Sequence, residues 1–441
     1  MENNANSTAA FTAARDAWHG ASELRSTRRM LKQFTYGRQW DAIAESARRG
    51  AALADLEKNF LKDGRRPLTN NLVRSLVKSV VGRFRKNLSL EEHPDETSSE
   101  GRMHRRNSLD ELDARALEEF LISGCAVQRI VLERRFEGTD VWVDNVNPAR
   151  FFCNRFHDPR GSDIRLVGML HDMSLPELLS RFGHGSRRRQ RELSALFDES
   201  VRLRARMADC ALATLAADGE VSFSSAADPS LCRVIEVWTL EITRNGDPRW
   251  TGRYFSPEGK LIDETPSPYP HRSHPFVVSL YPLTDGEVHP FIEDIIDQQR
   301  HVNVLMALVD HIIAHSAKGV LLLPQDSLPP DTDMKLVSEA WSKPGGVIVI
   351  SRNASRLPQE INTASSCTGA TQLLDREMLL FQQISGVTQA LQGQTPSGNT
   401  SASLYQSQIE NASIALLDIF ETFNTFRARR SDKARALLDA R

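Results

Sequence analysis

Leu391-Gln-Gly-Gln-Thr-Pro-Ser-Gly-Asn-Thr-Ser401 decides how the last third of this chain is read. Glycines, a proline and small polar side chains interrupt any helix here. No charged residue occurs from Thr388 to Gln408. Striped segments flank this loop. Before it, Leu373, Leu380, Phe381, Ile384, Val387 and Leu391 mark one face of a helix over about 370–390. After it, Tyr405, Ile409, Ala412, Leu416, Ile419, Phe423 and Phe426 alternate steps of four and three over about 402–430. That period of 3.5 residues is the seam of helix-on-helix packing. Each Leu or Phe so placed stabilises by roughly 1.5–3 kcal/mol if a partner surface covers it.

Working outward, a third helix over about 290–316 carries Ile292, Ile295, Ile296, Val302, Leu305, Met306, Val309, Ile312 and Ile313 in one stripe. Between it and the 370–390 helix lies a short β/proline module. Gly319-Val-Leu-Leu-Leu323 and Gly345-Gly-Val-Ile-Val-Ile350 read as buried strands around Pro324, Pro329 and Pro330.

The first two thirds mix helix and strand. Residues 1–20 are polar and Ala-rich and are expected to be flexible. A helical stretch then contains Tyr36-Gly-Arg-Gln-Trp40. The turn Arg66-Pro-Leu-Thr-Asn-Asn71 starts a helix striped by Leu72, Leu76, Val80 and Phe84. Residues 91–107, charged and Ser-rich, read as a linker. Residues 108–122 read as a helix closed by Gly124. A hairpin of 127–134 and 140–146 follows around Glu137-Gly138. Residues 175–213 read as helical, with the basic run Arg187-Arg-Arg-Gln-Arg191, and 234–243, 249–255 and 276–281 as strands. The fold class is α+β, mainly helical.

Composition narrows the function. Hydrophobic residues make up 40% and charged residues 25% of the 441 positions, as in a soluble globular chain of two to four domains. Lys plus Arg total 55 against 57 Asp plus Glu, a net charge of −2. A tight, non-specific DNA clamp is strongly basic, because its affinity scales with the phosphates it neutralises. No apolar run reaches the length of a membrane span, and the N-terminus lacks a signal pattern. Cys125, Cys153, Cys210, Cys232 and Cys367 form no C-x-x-C pair, which favours free thiols in a reducing compartment.

Catalytic motifs find no support. His311 and His315 have zinc-protease spacing, but Ile312 stands where the general base belongs. Ser75-Leu-Val-Lys78 matches Ser-x-x-Lys without its partner motifs. There is no P-loop, dinucleotide fingerprint or nucleophile elbow. Neither catalytic residues, a metal nor a cofactor is expected.

With these elements in this order, the chain resembles a tailed-bacteriophage portal protein, the head-to-tail connector. The matching stretches are Tyr36-Gly-Arg-Gln-Trp40, Arg66-Pro-Leu-Thr-Asn-Asn71, Val80-Val-Gly82, Asp294-Ile-Ile-Asp-Gln-Gln-Arg-His-Val-Asn303, Gln383-Ile-Ser-Gly386 and Ser397-Gly-Asn-Thr-Ser401. The resemblance implies a ring-forming portal fold: an α+β wing over 21–285, stem helices over 286–316 and 367–388, and a β-containing clip over 317–366. It also implies a tunnel loop over 389–402, then a long helix with a reduced crown over 403–441.

Function follows as an implication of that resemblance. A dodecamer would sit at one capsid vertex of the virion, assembled in the host cytoplasm, and would conduct double-stranded DNA during packaging and ejection. Its partners would be the terminase large subunit, a head-tail adaptor, and the major capsid and scaffold proteins. No membrane is involved. Gln392, Gln394, Thr395, Ser397, Asn399, Thr400 and Ser401 would line the channel. The clip residues Gln325, Asp326, Asp331, Lys335, Trp341 and Lys343 would meet partners, and Ile409, Leu416, Ile419 and Phe423 would pack subunits. One close phosphate contact gives ~1 kcal/mol in water, so a ring of a dozen fixed cations could hold DNA by ~12 kcal/mol before screening. Neutral amides and hydroxyls avoid that trap. Two alternatives stand beside this reading: a metal-dependent hydrolase or nuclease using Glu293, Asp294 and Asp297, or another, usually shorter, virion ring component.

Overall fold

The structure, a computed structural model, describes residues 2–48, 57–58, 67–92, 94–135, 138–197, 221–226, 228, 230–243, 245–316, 320–322, 324, 335, 337–339, 351, 359–361, 368–387, 414 and 416–440. In chain order, helices α1 (Glu2–Gly20), α2 (Ser22–Thr35), α3 (Gln39–Arg48), α4 (Leu72–Leu88), α5 (Ser99–Asn107) and α6 (Leu109–Ser123) precede strands β1 (Cys125–Arg135), β2 (Gly138–Asn145), β3 (Phe151–Cys153) and β4 (Leu166–Met173). Helices α7 (Leu175–Phe182) and α8 (Arg187–Leu196) lead to β5 (Cys232–Ile242), β6 (Pro248–Phe255), β7 (Leu261–Pro266), β8 (Phe276–Leu280), β9 (Pro282–Thr284) and β10 (Glu287–Val288). Then come α9 (Ile296–Ser316), β11 (Val320–Leu322), β12 (Gln359–Ile361), α10 (Thr368–Ser385) and α11 (Leu417–Asp439). Two compact units result. One comprises Met1–Arg49, Asn71–Ile296 and Ser385–Arg441, the other Gly50–Asn70 and Asp297–Ile384.

Two antiparallel sheets, ordered β2-β1-β8 and β3-β4-β5-β6-β7, form the centre of the first unit. They share a core. Val127, Phe276 and Val278 of one sheet pack with Val167, Trp238 and Trp250 of the other. Trp238 lies opposite Gly252 in the β5–β6 register. A Cβ at Gly252 would fall 2.9 Å from the indole, so the ring fits only over a glycine. Because side chains alternate along a strand, Ile235 and Val237 face the other way. There they join Phe152, Leu170 and Phe255, and receive Ala10, Ala14 and Trp18 of α1.

This last contact corrects the expectation of a flexible N-terminus. Ala10, Ala14 and Trp18 recur every four residues, and the two alanines let α1 approach the sheet closely. Phe11 adds ring contacts to Phe223 and Phe255, with centroids 5.9 and 5.4 Å away. The expected linker over 91–107 is also partly helical: Ser98 caps α5 by accepting from the Gly101 N–H at 2.9 Å. Tyr36-Gly-Arg is a turn between α2 and α3, with Gly37 at φ +82°. The helix expected over 175–213 breaks at His184 and Gly185, both with positive φ, and resumes as α8. The rest of that span lies outside the described residues.

Several expectations hold. Asn71 caps α4 by accepting from the Arg74 N–H at 3.0 Å. Leu76, Val80 and Phe84 are buried along that helix. Gly124, at φ +64°, closes α6, and β1–β2 form the hairpin. Strands β3, β4 and β7 were not legible in the sequence.

On the three-stranded sheet lie α6 and α11. Phe423 of α11 meets Phe84 and Phe120, with ring centroids 5.4 and 5.8 Å apart. Between α6, β1 and α11 sits Asp113, which is 1% exposed. It takes Arg427 Nε at 3.0 Å, a short contact from Arg430, and Gln128 Nε2 at 3.3 Å. In the second unit, β11 pairs with β12 and α9 accompanies α10. The strand expected over Gly345–Ile350 lies outside the described residues.

Asp113→Ala leaves two arginines without their buried counter-charge, a loss expected to cost about 3–5 kcal/mol. A fall of several degrees in Tm is the expected result. An unchanged melting curve would show that α11 does not depend on this pair.

Candidate functional site

Within Asp294-Ile-Ile-Asp-Gln-Gln-Arg-His-Val-Asn303, residues 299–303 make a dense set of side-chain bonds in the second unit. A 3-10 turn over Glu293–Ile295 leads into α9. Gln299 and Asn303 are one turn apart and fully buried. Buried amides need partners, and these have them. Gln299 Nε2 donates to the Asn70 carbonyl at 2.7 Å and to Asn303 Oδ1 at 3.2 Å, and the Asn70 N–H donates to Asn303 Oδ1 at 3.2 Å. Arg300 forks over buried Glu57, its Nη2 3.1 Å from each carboxylate oxygen. Such bidentate charge-assisted pairs fix geometry as well as energy. His301 Nδ1 reaches Glu377 of α10 at 3.2 Å. Consecutive turns of α9 therefore hold Glu57, Asn70 and Glu377.

The same two helices leave aliphatic side chains uncovered. Ile313, Leu373, Leu379 and Ile384 are 54%, 40%, 55% and 45% exposed, whereas Phe381 is buried.

Of the channel residues expected from the sequence, Gln392, Gln394, Thr395, Ser397, Asn399, Thr400 and Ser401 lie outside the described residues. So do Gln325, Asp326, Asp331, Trp341 and Lys343 of the clip, and Ile409. Lys335 is described: it is exposed on a helical segment, next to buried Val337. The assignment of Leu416, Ile419 and Phe423 to subunit packing is corrected. Their exposures are 0%, 2% and 0% within a single chain. For the described part of the seam, cover comes from within the chain, Phe423 packing on Phe84 and Phe120.

Acidic candidates for hydrolysis do not converge. Glu293 pairs with His289 at 3.3 Å, and Asp294 and Asp297 are exposed. Among the described residues, no group of three or more His, Cys, Asp or Glu is placed to hold a metal, and no helix is long and apolar enough to cross a membrane. Ser75 and Lys78 are exposed on α4, and His311 on α9. Of the basic run, Arg189 donates to the Ile262 carbonyl and Arg188 pairs with Glu192 at 3.0 Å, while Arg187 and Arg191 are exposed.

One constellation escaped sequence reading. Glu236, fully buried on β5, receives His171 Nε2 at 2.5 Å and Trp238 Nε1 at 2.7 Å, with Arg129 Nη2 at 3.6 Å. Burial alone would push its carboxyl up, but Arg129, His171 and Arg181 hold it well below the usual carboxylate range. Burial raises the nearby Tyr269 phenol to about 12. An acid without an exposed atom meets no substrate, so this network ties β1, β4 and β5 together. Its only local signal is a Glu inside an apolar strand pattern.

A family model described as phage P22-like portal protein matches residues 102–438. A search of curated proteins gave no match.

Arg300→Ala leaves the Glu57 carboxylate buried without its fork. The expected cost is about 1–3 kcal/mol, whereas His301→Ala, at a half-exposed pair, is expected to cost less than about 1 kcal/mol. Equal melting temperatures for the two variants would show that the fork contributes nothing special.

Proposed function

The chain belongs to the phage P22-like portal protein family, and from that premise we propose that it forms a dodecameric ring at one capsid vertex and conducts double-stranded DNA into and out of the head. The observation that carries this reading is the extent of the match. Residues 102–438 cover most of the proposed wing and all of the proposed stem helices, clip and tunnel loop. The exposed aliphatic residues of α9 and α10 support lateral assembly, since a ring covers such surface with its neighbours. The missing P-loop supports a motor on a separate chain, the terminase large subunit, which would dock at the clip. The same end would later receive the head-tail adaptor. Capsid and scaffold proteins would surround the wing.

In this proposal Gln392, Gln394, Thr395, Ser397, Asn399, Thr400 and Ser401 face the DNA as a neutral lining, and Gln325, Asp326, Asp331, Lys335, Trp341 and Lys343 face partners. Ile409 remains a candidate for subunit packing. The role is structural. Metal-dependent DNA cleavage by the purified chain, abolished by Asp294→Ala, would instead favour the nuclease alternative.

Negative-stain electron microscopy with light scattering on the same sample tests the assembly. Rings with a central channel and a mass near twelve times 49.4 kDa are expected. A persistent monomer, even with scaffold present, would overturn the proposal. Leu379→Asp together with Ile384→Asp changes residues exposed in the single chain, so the fold should lose no more than about 0.5 kcal/mol per site while ring yield falls sharply. Rings at normal yield would remove this face from the interface. Gln394→Lys with Asn399→Lys should leave rings intact and reduce the DNA packaged per head; normal packaging would refute the neutral-lining argument.

A further inference from the structure

Five cations lie on α11: Arg427, Arg429, Arg430, Lys433 and Arg435. Arg427 and Arg430 share Asp113, and Arg435 reaches Glu100 at 2.6 Å. Among the described residues, Lys433 meets no carboxylate in an ion pair. Its Nζ donates to the His274 and Phe276 carbonyls, each at 2.8 Å. A neutral amine has two N–H groups, one for each carbonyl. An ammonium has three.

The groups around it also reject positive charge. On its own helix Arg429 stands one turn away, donating to the Val278 and Arg160 carbonyls. Asp158 acts on that arginine, not on Lys433. From the segment leading into β8, His271 Nδ1 accepts the Ser273 N–H and His274 Nδ1 accepts the Phe276 N–H, each at 3.2 Å. A protonated ring could do neither. Burial and the Lys433 charge lower His271 to about 4, and also lower His274 well below the ordinary imidazole value. Burial first, and Arg429 second, lower Lys433 to about 7.

We propose that Lys433 makes the docking of the C-terminal helix proton-linked: the neutral amine fits the His274 and Phe276 carbonyls at the start of β8, and protonation loosens α11 from the sheet. The sign follows from linkage. A lysine with a lowered affinity for its proton in the folded chain disfavours folding below about 7, and that penalty fades as pH rises towards the ordinary amine value near 10.4.

Hydrogen–deuterium exchange of peptides within 417–439, read as protection factors from pH 6.5 to 9 on the full chain, tests this. In the wild type, protection should rise with pH above 7 by up to about tenfold per unit, the limit for one proton. Lys433→Met should remove that part of the slope. Lys433→Arg, charged throughout, should show low protection and also lose the slope. Should the Met variant fail to fold, Lys433→Gln takes its place. A wild-type slope retained in the Met or Gln variant, or in the Arg variant, would overturn the proposal, as would protection that falls with rising pH.

Discussion

A single buried carboxylate, Asp113, governs how the first unit closes. A charge this enclosed cannot persist without counter-ions and hydrogen bonds. Its cations, Arg427 and Arg430, come from a helix 314 and 317 residues later in the chain. Meeting that demand sets α11 against α6 and β1, which brings Phe423 over Phe84 and Phe120. The apolar contacts supply most of the adhesion. The charge pair sets its register, because sliding α11 by a turn would bury Asp113 beside apolar side chains.

Polar residues in apolar settings recur with the same consequence. Glu236 interrupts the apolar face of β5 and is answered by His171, Trp238 and Arg129 from β4, β5 and β1. Gln299 and Asn303 interrupt the stripe of α9 and are answered by Asn70. Each device rejects near-miss packings that hydrophobic contact alone would tolerate.

Division into two units gives these devices separate tasks. Within the first, two sheets share a core and are covered by helices. Within the second, α9 and α10 are joined by His301 and Glu377 while their aliphatic edges stay open. Exposed aliphatic side chains occur in both units: Leu90, Ile242 and Leu417 in the first, Ile313, Leu379 and Ile384 in the second.

Local order was largely legible in the sequence. The stripe of Leu76, Val80 and Phe84, the Asn71 cap, Gly124 and the β1–β2 hairpin depend on residues a few positions apart, and sequence periodicity records such neighbours directly. The N-terminal helix was not legible, because Ala10 and Ala14 carry little apolar signal until Phe152 and Phe255 arrive from distant strands. Nor was α5, whose Asn107 donates to the Val141 carbonyl and accepts the Val143 N–H on β2. The helix of Leu416, Ile419 and Phe423 shows the boundary most clearly. Its period of 3.5 residues announced by itself that a partner must cover this face. Only the tertiary structure decided that the partner is the same chain, because a repeat encodes the shape of a surface, while Asp113, Phe84 and Phe120 reach that surface only once the intervening chain has folded.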